Sequence, residues 1–251
     1  EELGATTVVI GATPDGYNIN YGVGSNEPAA LQAKVLEEGA DIGIAFDGDG
    51  DRLQMVNAKG ELLTGDDVLY VLAMHRLANG DSDAGIVGTL MTNMGLELAL
   101  QESGLRLARA KVGDRYVKEL MVAEGWSLGG ESSGHIICGD LSTTGDGVIA
   151  ALQVLAAVRA SGKSLEALTS GFNPLPQVLV NVCITKGFDL SAHPTIAEAC
   201  RRVESELEGR GRLLLRPSGT EPVIRVMVEG DDTVAIDALA DEVADAIRQA
   251  A

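Results

Sequence analysis

From residue 65 to residue 160, short apolar runs alternate with longer stretches of helical periodicity. That alternation limits the folds open to this chain more than any other feature. Gly65-Asp66-Asp67 caps a helix reaching Leu77, with Val68, Leu72 and His75 near one face. Residues 85–90 are predicted as a strand, 93–103 as a helix, 105–108 as a strand, 113–124 as a helix and 126–128 as a strand. Residues 129–140 read as a glycine-rich loop with a strand inside it. Thr144-Gly145-Asp146 then opens a long apolar helix to Ala160. Strands interleaved with helices in this way specify an α/β fold.

The flanks extend this plan. Residues 1–5 read as the tail of a helix, 6–10 as a β-branched strand and 11–25 as a loop rich in Gly, Asn, Pro and Asp. Asn26-Glu27-Pro28 opens a helix with an Asn cap, and strands follow at 42–46 and 53–56. This makes a thin sheet, so the N-terminal part of its domain is expected to be missing. After the linker Asn173-Pro174-Leu175-Pro176 come a strand at 178–185, a helix at 196–207, and strands at 212–215 and 223–229. A last helix from Asp232 aligns Ile236, Leu239, Val243 and Ile247 on one stripe. The expectation is two α/β three-layer domains, the first incomplete (1–59, then 60–171), followed by a small α+β two-layer C-terminal domain (172–251).

Composition narrows the partners. With 45% hydrophobic and 22% charged residues the chain is globular, and with 3% aromatics its core is aliphatic. A formal charge of −18 argues against nucleic acid or an anionic membrane as partner. An anionic substrate would need a local cluster of cations. Cys138, Cys183 and Cys200 are scattered and form no C-x-x-C pair, which points to a reducing, cytoplasmic location. No signal peptide opens the chain. The longest apolar run, 148–158, falls short of the ~20 residues a membrane span needs.

Three loops carry chemistry. Asp47-Gly48-Asp49-Gly50-Asp51-Arg52 follows an apolar strand, where ligands gather in open α/β sheets. Three carboxylates this close repel unless a cation offsets them, and hard oxygens suit Mg²⁺. The other readings are a solvated acidic turn and a calcium loop. The calcium loop fails, because its sixth position holds Arg52 and its twelfth Ala58. Arg52 fits a cation gripping a metal-bound phosphate.

Arg216-Pro217-Ser218-Gly219-Thr220-Glu221-Pro222 offers a guanidinium, hydroxyls and backbone N–H groups, the parts of a phosphate cradle. A polar β-turn is the plainer reading. Arg225, on the next strand, either faces the same way or is simply exposed. Gly129-Gly130-Glu131-Ser132-Ser133-Gly134-His135 can hold sugar hydroxyls through Glu131 and Ser133, and His135 can transfer protons or serve structurally. Lys111-Val112-Gly113-Asp114-Arg115-Tyr116 brings Lys111 and Arg115 to a helix start, where anions bind, or is a plain solvated helix start. His75 and His193 have no such company and read as structural.

The loops at 47–52, 129–135 and 216–222, in this order and spacing, resemble those of the α-D-phosphohexomutases. The 111–117 stretch and Gly88-Thr89-Leu90-Met91-Thr92-Asn93-Met94-Gly95 are most similar to the bacterial phosphoglucosamine mutase branch. The resemblance implies four domains around one cleft, with a phosphorylated serine in a T-A-S-H-N-P-like motif of the first. That phosphoserine gives its phosphoryl group to the sugar, the bisphosphate reorients, and the enzyme takes back the other phosphate. Ser25, Ser132, Ser133 and Ser218 are not followed by His-Asn-Pro. The chain is therefore expected to need the serine domain of the same protein as partner and to be inactive alone.

By the same resemblance Asp47, Asp49 and Asp51 bind Mg²⁺, and Arg52 holds the transferring phosphate. Glu131 and Ser133 grip the sugar, while Arg216, Ser218, Gly219 and Thr220, with Arg225, hold the distal phosphate. His135, Lys111 and Arg115 are candidates for proton transfer or phosphate contact. The implied reaction interconverts glucosamine 6-phosphate and glucosamine 1-phosphate, towards UDP-N-acetylglucosamine and cell-wall precursors. The alternatives are another phosphohexomutase (phosphoglucomutase or phosphomannomutase), a metal-dependent phosphatase, or a non-catalytic module that binds sugar phosphate or metal. A homo-oligomer stays open.

Overall fold

A computed structural model describes residues 3–81, 85–185, 187–218 and 221–251, and these fall into two compact units. The first takes in the chain up to Thr92 together with Leu96–Asn173. The second takes in Asn93–Gly95 and Pro174–Ala251.

In the first unit a long loop leads to α1 (Ala29–Glu38), β1 (Ile42–Phe46), β2 (Leu53–Asn57) and the short β3 (Leu62–Leu63). β1 and β2 are antiparallel, with Phe46 opposite Leu53, so residues 47–52 are the turn of a hairpin. Next come α2 (Gly65–Ala78), β4 (Gly85–Thr89), α3 (Met94–Glu102), β5 (Arg106–Ala110), α4 (Asp114–Glu124), β6 (Leu128–Gly130), β7 (Ile136–Cys138), α5 (Gly147–Ser161) and α6 (Leu165–Thr169). The cap of α2 is Thr64, one residue ahead of the predicted start. Its hydroxyl accepts the Asp67 N–H while the Asp67 carboxylate accepts the Thr64 N–H.

The main sheet runs β5-β4-β6-β7, parallel except for β7. β4 is buried at every position, as a strand covered on both faces must be. Ile86 joins a core with Val68, Leu72, Leu100 and Val154, whereas Val87 joins Val117, Met121 and Ile137. Alternate residues of one strand thus feed opposite faces, giving helix, sheet and helix layers. Leu53 and Met55 of β2 lie in the first of these cores, which ties the acidic turn to the main sheet.

The second unit holds β8 (Gln177–Cys183), a 3₁₀ turn (Leu190–Ala192), α7 (Pro194–Glu206), β9 (Gly211–Pro217), β10 (Val223–Gly230) and α8 (Thr233–Ala250). Its antiparallel sheet runs β8-β10-β9. Val182, Ile224, Val226 and Val228 pack with Ile196, Val203 and the predicted α8 stripe of Ile236, Leu239, Val243 and Ile247. Arg225, Met227 and Glu229 alternate onto the opposite face. Glu229 is fully buried, ion-paired with Arg212, and accepts the Met94 N–H at 3.0 Å. The α/β part and the smaller α+β part agree with the fold class read from the sequence.

The structure departs from the sequence reading in several places. Residues 6–10 form no strand, and Val8 and Val9 are 55% and 71% exposed. A β-branched run favours extended backbone, but a strand also needs a partner for its N–H and C=O groups. Among the described residues nothing pairs with this one. Leu3 and Gly4 lie in a turn and bend rather than a helix, and Glu1 and Glu2 lie outside the described residues. The N-cap of α1 is Pro28, without a side-chain cap, so Asn26 does not cap it. β6 begins at Leu128, two residues after the predicted strand start. β3 and α6 were not foreseen, because two to five residues carry too little periodic signal. No helix among the described residues is long and apolar enough to cross a membrane.

Candidate functional site

The acidic turn is held from three sides. The Gly50 N–H reaches the Asp47 carbonyl at 3.2 Å, and the Arg52 N–H donates to Asp47 Oδ1 at 3.1 Å. The Gly147 N–H, at the start of α5, donates to the Gly50 carbonyl at 2.9 Å. Asp47, Asp49 and Asp51 each present a carboxylate oxygen, all within 4.8 Å of one another. The Arg52 Nε lies 4.0 Å from Asp47 Oδ2, with its side chain 44% exposed.

Charge strain in this cluster is visible. Burial pushes both Asp47 and Asp51 upwards. At Asp47 it is outweighed by the Arg52 N–H, a hydrogen bond with Asp51 and the Arg52 charge, so that carboxyl sits below its usual range. At Asp51 burial adds to the hydrogen bond and charge of Asp47, and the carboxyl is driven up despite the pull of His135. Asp47 and Asp51 are thus pushed in opposite directions, and a small hard cation would offset the crowded charge of all three acids. The donor set fits Mg²⁺. Cation and proton compete for Asp51, so Mg²⁺ affinity is expected to weaken as pH falls through the raised Asp51 range and to level off above it. Calorimetric titrations across a pH series check this; an affinity independent of pH down to the ordinary carboxylate range refutes it.

The loop between β6 and β7 is bonded to that turn. The Leu53 N–H donates to the Gly134 carbonyl at 2.9 Å, and Arg52 and His135 form a backbone bridge. Gly134 has φ 95°, and a methyl group there would overlap the Leu53 carbonyl, so only glycine fits. Glu131 accepts the Gly113 N–H at 2.6 Å through Oε1, while the Ser133 hydroxyl lies 3.4 Å from Oε2. One Glu131 oxygen is thus spent on anchoring, and the other stands beside a hydroxyl. His135 is buried, with Nδ1 3.0 Å from Asp51 Oδ2.

Gly113 is also the N-cap of α4, so the 111–116 stretch is joined to the Glu131 loop. Lys111 is exposed, with its ammonium 5.8 Å from the Tyr116 ring centre. Arg115 pairs with Glu119 at 2.8 Å along its own helix, with its side chain 81% exposed. The structure brings Asp47, Asp49, Asp51, Arg52, Glu131, Ser133 and His135 into one bonded assembly. It leaves the Arg115 side chain turned to solvent.

The second unit carries the remaining residues. Arg216 on β9 stands directly opposite Arg225 on β10. Like charges facing across a ladder destabilise it unless an anion sits between them. The Arg225 Nε is buried without a hydrogen-bond partner among the described residues, and its other end reaches Glu221 at 3.7 Å. The Ser218 N–H donates to the Val223 carbonyl at 2.8 Å, and the Ser218 hydroxyl accepts the Glu221 N–H at 3.3 Å. Gly219 and Thr220 lie outside the described residues.

Two features escaped the sequence reading. The bond between Gly113 and Glu131 joins two motifs that were read separately. The 11–25 loop, which had no assigned role, lies along the acidic turn. Ser25 donates its N–H to the Phe46 carbonyl at 3.1 Å, and Ile19 covers Gly48 so closely that a methyl there would overlap it. The small residues at 48 and 25 were the only local hint.

Comparison with known proteins identifies the family. Residues 64–174 match the α/β/α domain III of the phosphoglucomutase/phosphomannomutase family, and residues 179–246 match its C-terminal domain. A phosphoglucosamine mutase of Aeromonas hydrophila is 56% identical over 249 residues, covering 99% of this chain and 56% of that protein. One of Cellvibrio japonicus is 53% identical over the same length, with the same coverage. The chain thus spans little more than half the length of the curated relatives it matches. Among solved structures, the N-acetylphosphoglucosamine mutase of Aspergillus fumigatus in complex with GlcNAc-6P and magnesium has a TM-score of 0.73 at 20% identity. That match covers 91% of this chain and 57% of the other. A phosphoglucomutase/phosphomannomutase family protein of Burkholderia thailandensis has a TM-score of 0.71 at 23% identity, covering 90% and 50%. Matched over most of its length by two domains of one family, and 56% identical to a member of it, the chain belongs to the phosphoglucomutase/phosphomannomutase family of α-D-phosphohexomutases.

Proposed function

We propose that this chain supplies the metal loop, sugar loop and distal-phosphate cradle of a phosphoglucosamine mutase that interconverts glucosamine 6-phosphate and glucosamine 1-phosphate. The observation that carries the reading is the bonded assembly of three convergent carboxylates, Arg52 and the Glu131 loop. The amino sugar is preferred because the high-identity relatives are phosphoglucosamine mutases. The residues divide as three domain segments, 1–59, 60–171 and 172–251.

In this reading Asp47, Asp49 and Asp51 hold Mg²⁺, which when bound neutralises charge on the transferring phosphoryl group. Arg52, beside it and half-exposed, orients that group from a second side. The free Glu131 oxygen and the Ser133 hydroxyl take the sugar hydroxyls and set the ring's distance from the metal loop. Arg216 and Arg225, with Ser218, Gly219 and Thr220, fix the phosphate that is not reacting, and this relieves the repulsion between the two guanidinium groups. Lys111 and Arg115 flank Gly113, whose N–H is bonded to Glu131, and are the candidate cations for proton transfer or phosphate contact. Positioning and charge neutralisation of this kind are most of what phosphoryl transfer asks of a protein. The phosphoryl donor is a phosphoserine outside these 251 residues.

The test is a complete mutase carrying Asp47→Ala, Asp49→Ala and Asp51→Ala together. Its turnover of glucosamine 6-phosphate is expected to fall by at least about 10²-fold. Retained activity, with the protein folded, would remove the metal loop from the mechanism.

A further inference from the structure

We propose that Tyr17, Ile19 and Tyr21, on the loop beside the acidic turn, form the seat for the phosphoserine-bearing part of the complete mutase. The inference rests on the phosphoserine reading above and deepens it by naming the surface on which the donor segment docks.

Single exposed hydrophobic side chains are ordinary, but a cluster of them on a fixed surface marks an interface. Among the described residues, seven of the sixteen exposed large hydrophobic residues fall within positions 3–21, so exposure is concentrated there. Tyr17 and Tyr21 are 95% and 84% exposed, and Ile19 between them is exposed too. Two of the four tyrosines of the chain thus stand in solvent within five positions. Their backbone is tied down. The Asp15 carboxylate accepts the N–H groups of Tyr17 and Asn18 at 2.8 and 2.9 Å, and the Asn18 side-chain amide donates to the Thr13 carbonyl at 2.9 Å. The Tyr21 N–H donates to the Asn18 carbonyl at 3.1 Å. Tyrosine offers a large rigid area with a polar tip, which is what interface anchors are made of.

What covers this surface follows from where the loop lies. Three segments pack against the acidic turn. The start of α5 closes one side through the bond from Gly147 to Gly50, and the β6–β7 loop closes another through Leu53 and Gly134. On the third side Ile19 lies over Gly48, between Asp47 and Asp49, and its outer surface is open. A phosphoserine that gives its phosphoryl group to a sugar held here must reach the turn, so the segment carrying it must pack on a flank that is still open. The 249 matched residues are 56% of the Aeromonas hydrophila protein, which leaves nearly half of such a chain to occupy that flank. Charge does not draw the donor in. A phosphoserine carries about −1.5 to −2 and this chain carries −18, so the two repel at long range. An apolar seat beside the turn supplies attraction that does not depend on charge.

Tyrosine-specific chemical labelling, read by mass spectrometry, tests this by comparing the 251-residue chain with a complete mutase that contains it. Tyr17 and Tyr21 are expected to label freely in the 251-residue chain and several-fold more slowly in the complete protein, with the buried Tyr70 unreactive in both. Tyr17→Ser combined with Tyr21→Ser in the complete mutase is expected to lower kcat by about 10-fold or more, because the donor is then held less accurately. The same pair should leave KM for glucosamine 6-phosphate unchanged, as well as the thermal unfolding and Mg²⁺ affinity of the 251-residue chain. Equal labelling of both tyrosines in the two proteins, with turnover intact, refutes the seat and leaves the mutase reading standing. Protection in the complete protein, with a double variant whose kcat matches the parent, also overturns it. If the tyrosines of the 251-residue chain are protected when concentrated and label on dilution, a second copy is the occupant and the proposal falls. A complete protein with protected tyrosines but no turnover of glucosamine 6-phosphate removes the mutase reading, and a phosphoserine seat with it.

Discussion

Gly134→Ala is expected to destabilise the first unit by about 2–4 kcal/mol, in urea or thermal unfolding of the 251-residue chain. Two costs add. The backbone at Gly134 has φ 95°, in the left-handed region, where a side chain costs roughly 1–2 kcal/mol. The new methyl also overlaps the Leu53 carbonyl oxygen, and overpacking of this kind costs about 1–3 kcal/mol. The overlapped atom is backbone, so no rotamer change relieves it. The same Leu53 residue donates its N–H to the Gly134 carbonyl at 2.9 Å. Separating the two strands therefore also pulls Arg52 and the acidic turn away from the Glu131 loop. A change below about 1 kcal/mol would show that the two loops are not held as tightly as these bonds require.

Arg212→Met is expected to cost about 3–5 kcal/mol of stability in the second unit, the range for stripping one partner from a buried ion pair. Glu229 is fully buried and Arg212 is 19% exposed at its side chain. Met fills much of the same volume but brings no charge to the carboxylate, which still accepts the Met94 N–H. Arg212→Met combined with Glu229→Gln should recover much of the loss, because the buried charge is then gone too. The double-mutant cycle separates these terms. A single variant as stable as the parent, or a double variant no better than the single, counts against the pair.

How much of this was readable from residues depends on distance along the chain. The acidic turn declared itself because its carboxylates alternate with glycines inside six consecutive positions, directly after an apolar run. The α8 stripe and the buried β4 run were legible for the same local reason. Arg225 facing Arg216 was within reach as well, since a hairpin fixes which residues oppose. The bond from His135 to Asp51 joins residues 84 positions apart, and no local pattern announces it. Gly145 gave no signal, because its reason for being small is a ring belonging to another loop. The failed strand at residues 6–10 is the converse case. Its β-branched residues state a preference, but a preference becomes a strand only when another segment supplies the ladder.

Residues 47–52 are the turn of the β1–β2 hairpin, and this makes the length of the acidic loop as constrained as its chemistry. Side chains along β2 alternate between faces, so inserting or deleting one residue in the turn slips the pairing by one and rotates the whole strand. Leu53 and Met55 would leave the interior and Gln54 would enter it. Drift in this loop can therefore exchange one residue for another but cannot lengthen or shorten it, and among descendants of this gene a gap there should be rarer than any single substitution.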